Sequence, residues 1–558
     1  MLCFVAHYSP QSLRRVEVDM PERHVIAALI ERHLATRPDD VGFVVGEASI
    51  RYAEFDELCR RSAAWLAAMG VGPGDRVALW LVNRIEWLAL FFGAARLGAA
   101  VVAVNTRYRA SELAYLLERS APRLLVLQHN FRKIDFPAVL DGVDHAAARS
   151  VERVVVIEPD ARTPSRILGK PTVAFDAFEA APATARDDSS PEAIAAMFTT
   201  SGTTKGPKLV MHPQRTIVRH ALQVAAATGL VKREARLLAA LPLCGVFGFC
   251  SALAAIAAGA PVILMDTFEA ETAVRLMRRH AITHLFGSDE MYRRMLELVP
   301  GEDPFPSARI FGYAAFNPGA ADFARSAWQK RVPLFGLYGS SEVQALFSMQ
   351  RADAPVDQRI EAGGVPAAGA QAEVRVRDVD SGELLPVERS GELEIRAPGN
   401  FAGYWNDADS TAEAIGPDGF FRTGDIGHLR GDGSFVYEAR RGDALRLGGY
   451  LVSPLEIEEV LKQHPGVADV QVVSAEISGQ TRCVAFVIPA QQAAPTEAEV
   501  ISAASGKMAA FKVPARVWFV DEFPTTQSAN GIKIQRGRLR EMARQRLTES
   551  QGPLGAKI

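Results

Sequence analysis

From Leu237 to Met265 the chain carries no charged side chain. A run that long belongs either in a bilayer or in a protein core. Pro242, Gly245, Gly248, Gly259 and Pro261 interrupt it, and the alanine-rich piece Ser251–Ala258 is too short to span a membrane. The pattern predicts a strand ending near Leu243, a glycine loop, a buried helix and a strand over Val262–Met265, all in a core. No integral membrane segment is expected.

The rest of the first half follows the same alternation. Helical spacing over Val25–Arg37, Tyr52–Met69, Trp87–Leu97 and Ala110–Arg119 alternates with short apolar runs at Gly42–Val45, Arg76–Leu81, Ala100–Val104 and Leu124–Leu127. Such alternation builds layered α/β structure around parallel strands. The grammar changes after about residue 360. Strand patterns at Ala372–Arg377, Gly391–Arg396 and Ser434–Ala439, separated by Asp-Gly turns, predict a small antiparallel β unit. A helix over Pro454–Gln463 with Ser453 as its cap, strands at Val467–Ala475 and Arg482–Ile488, and a helix over Glu497–Ala510 form a smaller α+β domain. The expected fold class is therefore α/β. A large N-terminal multi-subdomain α/β domain with a small β unit (1–440) is followed by a smaller C-terminal α+β domain (441–558). The boundary lies in the charged, glycine-bearing stretch ARRGDALRLGG.

Composition removes several classes. Of 558 residues, 48% are hydrophobic and 23% charged, which is ordinary for a globular chain. The formal charge of -3 gives no reason to expect nucleic acid as a partner. Cys3, Cys59, Cys244, Cys250 and Cys483 are scattered without a CxxC pair, so neither a disulfide framework nor a cysteine zinc site is expected. The first residues lack the basic region of a secretory signal, and a cytoplasmic location is expected.

The chemistry-bearing stretch is Phe198-Thr-Thr-Ser-Gly-Thr-Thr-Lys-Gly-Pro-Lys208. A strand feeding a loop of small hydroxylated residues leaves backbone N–H groups free, and two lysines add charge. That combination suits a polyphosphate. It is not a Walker A loop, because only three residues separate Gly202 from Gly206 and Pro207 stands where that motif needs glycine.

This stretch resembles the phosphate-loop signature of the class I adenylate-forming (AMP-binding) superfamily, and four further motifs in family order point to its acyl-CoA synthetases. The resemblance assigns Thr200, Ser201, Gly202, Thr203, Thr204, Lys205 and Lys208 to ATP phosphates, with Lys205 in the place of a usual glycine. Tyr338-Gly339-Ser340-Ser341-Glu342 is similar to the family's Tyr-Gly-x-Thr-Glu. A tyrosine ring can stack on a purine, and a glutamate supplies hard oxygen for Mg²⁺. Gly312, Tyr313 and Ala314 resemble the adenine-side loop, although Tyr313 could equally be a core aromatic.

Asp425 in Phe-Phe-Arg-Thr-Gly-Asp resembles the carboxylate that accepts from both ribose hydroxyls. Arg440 takes the place of a ribose or phosphate contact, Gly442 that of a hinge, and Arg446, Gly448 and Gly449 that of a CoA-facing strand. Here Ala439 replaces the usual Gly and Arg446 the usual Lys. Lys533 stands before Ile-Gln-Arg as the family's C-terminal lysine does, with Ile532 inserted between it and Gly531.

The resemblance implies an ATP-, Mg²⁺- and CoA-using enzyme that activates a small-molecule carboxylic acid as an acyl-adenylate, with Glu342 and Lys533 catalytic and a mobile small domain. A homodimer is compatible with it. Cys244, Gly245, Val246, Phe247 and Ser288 fall at the acyl pocket. Gly245 stands where a larger residue is usual, which opens volume and favours a fatty or bulky acid over benzoate. Two other readings stay open: transfer to a carrier protein's phosphopantetheine, and an aryl acid as substrate. A non-catalytic relative is disfavoured by retention of both Glu342 and Lys533. His212 is expected to be structural or to line a pocket.

Overall fold

The computed structural model describes residues 21–550, apart from 132, 201–206, 315–319, 448–449, 478–479, 491–494, 506, 509 and 529–530. The charge-free stretch forms a strand at Leu237–Ala239, a helix at Val246–Ala258 and a strand at Val262–Leu264. Every residue of the helix from Val246 to Ala257 is buried. It packs so closely that a Cβ on Gly248 would stand 2.3 Å from the Pro242 carbonyl oxygen. A helix buried this deeply must have its last carbonyls satisfied by protein. His33 Nε2 donates to Ile256 O at 2.8 Å, and Arg37 Nη2 donates to Ala258 O at 2.8 Å. Gly259 ends the helix in the left-handed region, φ 72°. Among the described residues no helix is long and apolar enough to cross a membrane.

Two large sheets organise the first 440 residues. In one, Val262–Leu264, Leu237–Ala239, His284–Ser288, Ile310–Ala314 and Leu334–Tyr338 lie side by side and parallel. The chain leaves all five strands at the same edge, the place where open α/β sheets bind ligands. Ser288 and Ala314 are paired in register at that edge. The same sheet continues through antiparallel strands Gly363–Pro366, Phe435–Arg440, Phe421–Leu429, Gly391–Arg396 and Glu373–Arg377. This is the expected β unit, although Phe421–Leu429 was not foreseen. Gly424 in its middle, at φ 68°, breaks the alternation that marks a strand.

In the second sheet, Ile194–Thr199 runs parallel to Ala100–Ala103 and antiparallel to Leu209–Pro213. The chain from 200 to 208 joins that hairpin. Helices between the sheets bury one continuous apolar core.

The C-terminal part has its own cores, one around Ile457, Val470, Cys483 and Val500 and another around Phe486 and Leu539. Val467–Ile477 and Gln480–Pro489 pair antiparallel, with Arg516–Phe519 added parallel. The helix expected over Val25–Arg37 is shorter, Ala28–Leu34, and that over Glu497–Ala510 ends at Ser505. Ser453 does not cap its helix with its side chain, because its hydroxyl donates instead to Glu438 O at 3.1 Å.

His33, His212, His220 and His284 are each pushed down to about 4 by burial. Unfolded histidine titrates near 6.5, so between about pH 6.5 and 4 the unfolded chain binds more protons than the folded one. Stability is lost as pH falls through that window, by up to about 2 kcal/mol per histidine at pH 5. The thermal unfolding midpoint should therefore be clearly lower at pH 5 than at pH 7. An unchanged midpoint would show that these histidines are not held neutral.

Candidate active site

The hairpin that carries the expected phosphate loop is closed at its base. Thr200 N donates to Lys208 O at 3.0 Å, and Lys208 N donates to Thr200 Oγ1 at 3.1 Å. Tyr108 OH meets Thr199 Oγ1 at 2.6 Å, and Tyr115 OH donates to Pro207 O at 3.2 Å. Ser201, Gly202, Thr203, Thr204 and Lys205 lie outside the described residues. Lys208 Nζ stands 4.6 Å above the Tyr404 ring. An ammonium over a tyrosine face is attracted to the ring quadrupole, which fixes where its charge sits.

The segment Tyr338–Glu342 leaves the parallel sheet at its ligand edge. Gly339 is required by close approach, since a Cβ there would stand 2.8 Å from Ala345 Cα. Ser340 Oγ accepts from Glu342 N at 3.2 Å. Ser341 O accepts from His212 Nε2 at 2.8 Å, so the sheet end is tied to the hairpin by a neutral, fully buried histidine. His212 is thus structural. Glu342 is 9% exposed, and its Oε1 accepts from Tyr404 OH at 3.0 Å. The chain then doubles back through two left-handed non-glycine residues, Gln344 (φ 61°) and Leu346 (φ 67°). Gln344 offsets that strain by donating to Thr216 O and Gly399 O.

Asp425 and Arg440 face each other across adjacent antiparallel strands. Tyr338 OH donates to Asp425 Oδ2 at 2.6 Å, and Arg440 Nη1 lies 2.9 Å from Oδ1 while donating to Thr423 O at 2.7 Å. Burial pushes the Asp425 carboxyl above the usual range, while Arg440 and Tyr338 restrain it. The ion-pair contact does not align a donor on Oδ1, which is buried without a hydrogen-bond partner. An acceptor is thereby left for an incoming hydroxyl.

The two expected nucleotide-side tyrosines behave differently from their sequence reading. Tyr338 is packed edge-on against Phe435 at 5.3 Å and tilted on Tyr437 at 5.8 Å, and it acts through its hydroxyl. Tyr313 is 1% exposed with its hydroxyl on Ile360 O, which makes it the core aromatic of the two alternatives. Gly312 packs against Phe286 on its strand, and Ala314 ends that strand half-buried beside Ser288.

Cys244, Gly245, Val246 and Phe247 form a buried apolar turn into the helix, with Gly245 N donating to Pro242 O at 3.0 Å. Burial raises the Cys244 thiol to about 11, so it is no nucleophile. Ser288 accepts from Met291 N and caps the next helix.

Gly442 is exposed, with open space where a Cβ would stand and a φ outside the left-handed region. Nothing in this conformation demands glycine there. Arg446 lies opposite Leu451 in a short hairpin, and its side chain, with Gly448 and Gly449, lies outside the described residues. Lys533 pairs with Thr526 on a second hairpin, and its side chain is likewise outside the description.

Direct contacts thus form two groups, Lys208–Tyr404–Glu342 and Tyr338–Asp425–Arg440, joined through the chain segment Tyr338–Glu342. Sequence reasoning missed Tyr404. The only trace of it was an aromatic-glycine cluster, Phe401-Ala-Gly-Tyr-Trp405, that no spacing rule singles out.

Residues 30–405 match the family described as AMP-binding enzyme, and residues 456–530 match the AMP-binding enzyme C-terminal domain. The chain is 31% identical to a methyl-dioxo-octahydroindenyl-propanoyl:CoA ligase of Mycobacterium tuberculosis, covering 93% of this chain and 98% of that one. It is 30% identical to a 3-hydroxybenzoate–CoA ligase of Aromatoleum, covering 93% and 96%. The ATP-bound crystal structure of MatB from Rhodopseudomonas palustris superposes with a TM-score of 0.78 at 26% identity, covering 92% and 98%.

Tyr338→Phe deletes the donor on a buried carboxylate. It should cost about 1–3 kcal/mol of stability, read from urea unfolding. A loss below 0.5 kcal/mol (roughly the scale of a neutral surface change) would mean that this bond carries no weight.

Proposed function

Since the chain belongs to the AMP-binding enzyme family, we propose that it is an AMP-forming carboxylate–CoA ligase acting on an acid with an apolar, fatty or otherwise bulky body. The carrying observation is the contact chain Lys208–Tyr404–Glu342 beside Tyr338–Asp425–Arg440. The reading is supported by a cation over Tyr404, the Glu342 carboxylate on that tyrosine's hydroxyl and the buried, unpartnered Asp425 Oδ1. An aryl acid is the second reading, favoured by the hydroxybenzoate-activating relative.

A carboxylate is a poor acyl donor, because its leaving group would be oxide. Joining it to AMP supplies a good leaving group, and the carboxylate itself attacks the α-phosphorus with loss of pyrophosphate. The protein needs no nucleophile. It has to position two anions and neutralise charge at phosphorus. In this reading Lys208 and Thr200, with the loop from Ser201 to Lys205, cradle the phosphates. Asp425 Oδ1 takes a ribose hydroxyl, with Arg440 beside it. Gly339, Ser340 and Ser341 line the nucleotide, and Gly312 with Ala314 forms the floor.

Glu342 fits Mg²⁺. One oxygen is held by Tyr404, and among the described residues nothing donates to the other. Mg²⁺ that arrives with ATP keeps several waters and needs only one or two carboxylates, and it would neutralise charge on the phosphates. Lys533 meets the carboxylate and α-phosphate, and the thiol of CoA then attacks the acyl carbonyl and releases AMP. That second step follows rotation of the small domain (441–558) on the large one (1–440) about Gly442, with Arg446, Gly448 and Gly449 facing the pantetheine arm. Buried free thiols at Cys59, Cys244, Cys250 and Cys483 support a reducing, cytoplasmic setting.

The test is ATP–pyrophosphate exchange across a panel of acids, with and without CoA. Exchange with thioester formation only when CoA is added supports the ligase. Exchange without CoA turnover points to a carrier-protein acceptor, and no exchange with any acid overturns the reading. Lys533→Ala should slow exchange roughly 10²–10³-fold, while Lys208→Ala should cost about 1.5–3 kcal/mol in ATP use. Gly442→Pro should form adenylate and no thioester. Gly245→Trp should abolish activity on long acids and spare acetate or propionate; equal losses at every chain length would show that the change disrupts folding or the nucleotide site instead.

A further inference from the structure

Lys533 sits on a strand with a single neighbour among the described residues. Among the described residues Gly531–Ile534 pairs only with Thr525–Ser528, in a two-stranded sheet joined to no other. A lone hairpin is marginally stable in water, so something outside it has to hold it. Its base is closed by Gln535 N donating to Pro524 O at 2.8 Å. The next residue, Arg536, enters the body of the small domain. Its Nη2 lies 2.9 and 3.0 Å from the two carboxylate oxygens of Glu458, and its Nη1 donates to Val472 O at 3.1 Å. Glu458 Oε1 also accepts from Val472 N at 2.7 Å. The Glu458 side chain is 1% exposed and that of Arg536 14%.

Two features set this pair apart from ordinary helix packing. The helix Arg536–Ser550 is already anchored by Leu539 and Ala543, both fully buried. A charged pair is not required to hold it, since an apolar pair packs a core as well as a buried ion pair does. What the pair adds is direction. A planar guanidinium held by a carboxylate and a carbonyl has one orientation, and it fixes the chain at the point where the hairpin enters the helix. Lys533 stands three residues before it, roughly 10 Å along an extended chain.

We infer that the Arg536–Glu458 ion pair is the positioning device for Lys533. It sets the base of the hairpin so that the lysine reaches the reacting carboxylate and α-phosphate. The inference rests on the reading of Lys533 given above. Both partners belong to the small domain, so the pair travels intact when that domain rotates. Its effect on rate is confined to the step in which Lys533 takes part.

The experiment uses full-length Glu458→Gln, Arg536→Lys and Lys533→Ala. Each is assayed for ATP–pyrophosphate exchange and for CoA thioester formation from a synthetic adenylate of octanoate or benzoate, whichever acid drives exchange in the unaltered protein. Glu458→Gln should lower the exchange kcat by on the order of 10²-fold, the scale of a misplaced reacting group. KM for ATP and the thioester half-reaction should stay within about twofold of the unaltered protein, the margin left for a step that Lys533 does not touch. Arg536→Lys, which keeps the charge and loses the fork, should fall between. Parallel losses in both half-reactions, or unchanged exchange, would overturn the inference. If Glu458→Gln does not fold, Arg536→Lys decides on the same two readouts. Full exchange in Lys533→Ala would remove the lysine reading itself. Slow exchange in Lys533→Ala with normal exchange in both ion-pair variants would remove only the positioning role.

Discussion

The hydrogen bond from Tyr338 to Asp425 is the point on which the arrangement turns. Tyr338 ends a parallel strand of the large sheet, and Asp425 lies in the antiparallel β unit. One donor on one buried carboxylate therefore locks two different kinds of structure together. Asp425 can stay buried because Tyr338 and Arg440 share its charge. Arg440 is in turn the last residue of its strand, and the turn that follows leads into the small domain, with Asp443 N and Ala444 N both donating to Arg440 O at 2.8 Å. The turn that leads into the second domain therefore starts from Arg440, the residue that also shares the charge of Asp425.

A second tie has the same logic. His212 on the phosphate-loop hairpin holds the carbonyl of Ser341, and Tyr404 stands between Lys208 and Glu342. Two sheets that share no strand are registered against each other by a neutral histidine and a tyrosine. Neither residue has to touch a substrate to matter. Together they fix how Lys208 stands relative to Glu342, and in the proposed function that distance is what a reaction between two anions depends on.

The apolar character of the core bears on the proposed substrate. The helix Val246–Ala258 is buried on all sides, and its first turn is the segment read as the acyl pocket. A pocket at the first turn of such a helix, as the proposed function has it, would offer almost no polar partner. In the proposed function it would select acids by volume and shape, and two relatives are named as ligases of a hydroxybenzoate and of a bicyclic propanoate.

The sequence by itself determined the fold class and the family, and it named the charged residues of the proposed site. Those are written in local patterns: alternating helix and strand periodicity, a run of small hydroxylated residues, and Tyr-Gly-x-x-Glu at the end of a strand. It also determined that the stretch from Leu237 to Met265 is core, because prolines and glycines divide it. Tertiary structure alone decided what each aromatic does. Tyr313 and Tyr338 sit in similar apolar contexts in the sequence, yet one closes on a core carbonyl and the other on Asp425, 87 residues away. Tyr404, Arg536 and Glu458 carried no readable spacing, because their partners come from distant elements. Ser453 looked like a helix cap and instead spends its hydroxyl on Glu438. Hydrogen bonds between remote segments depend on where the sheets place them, and no local periodicity encodes that.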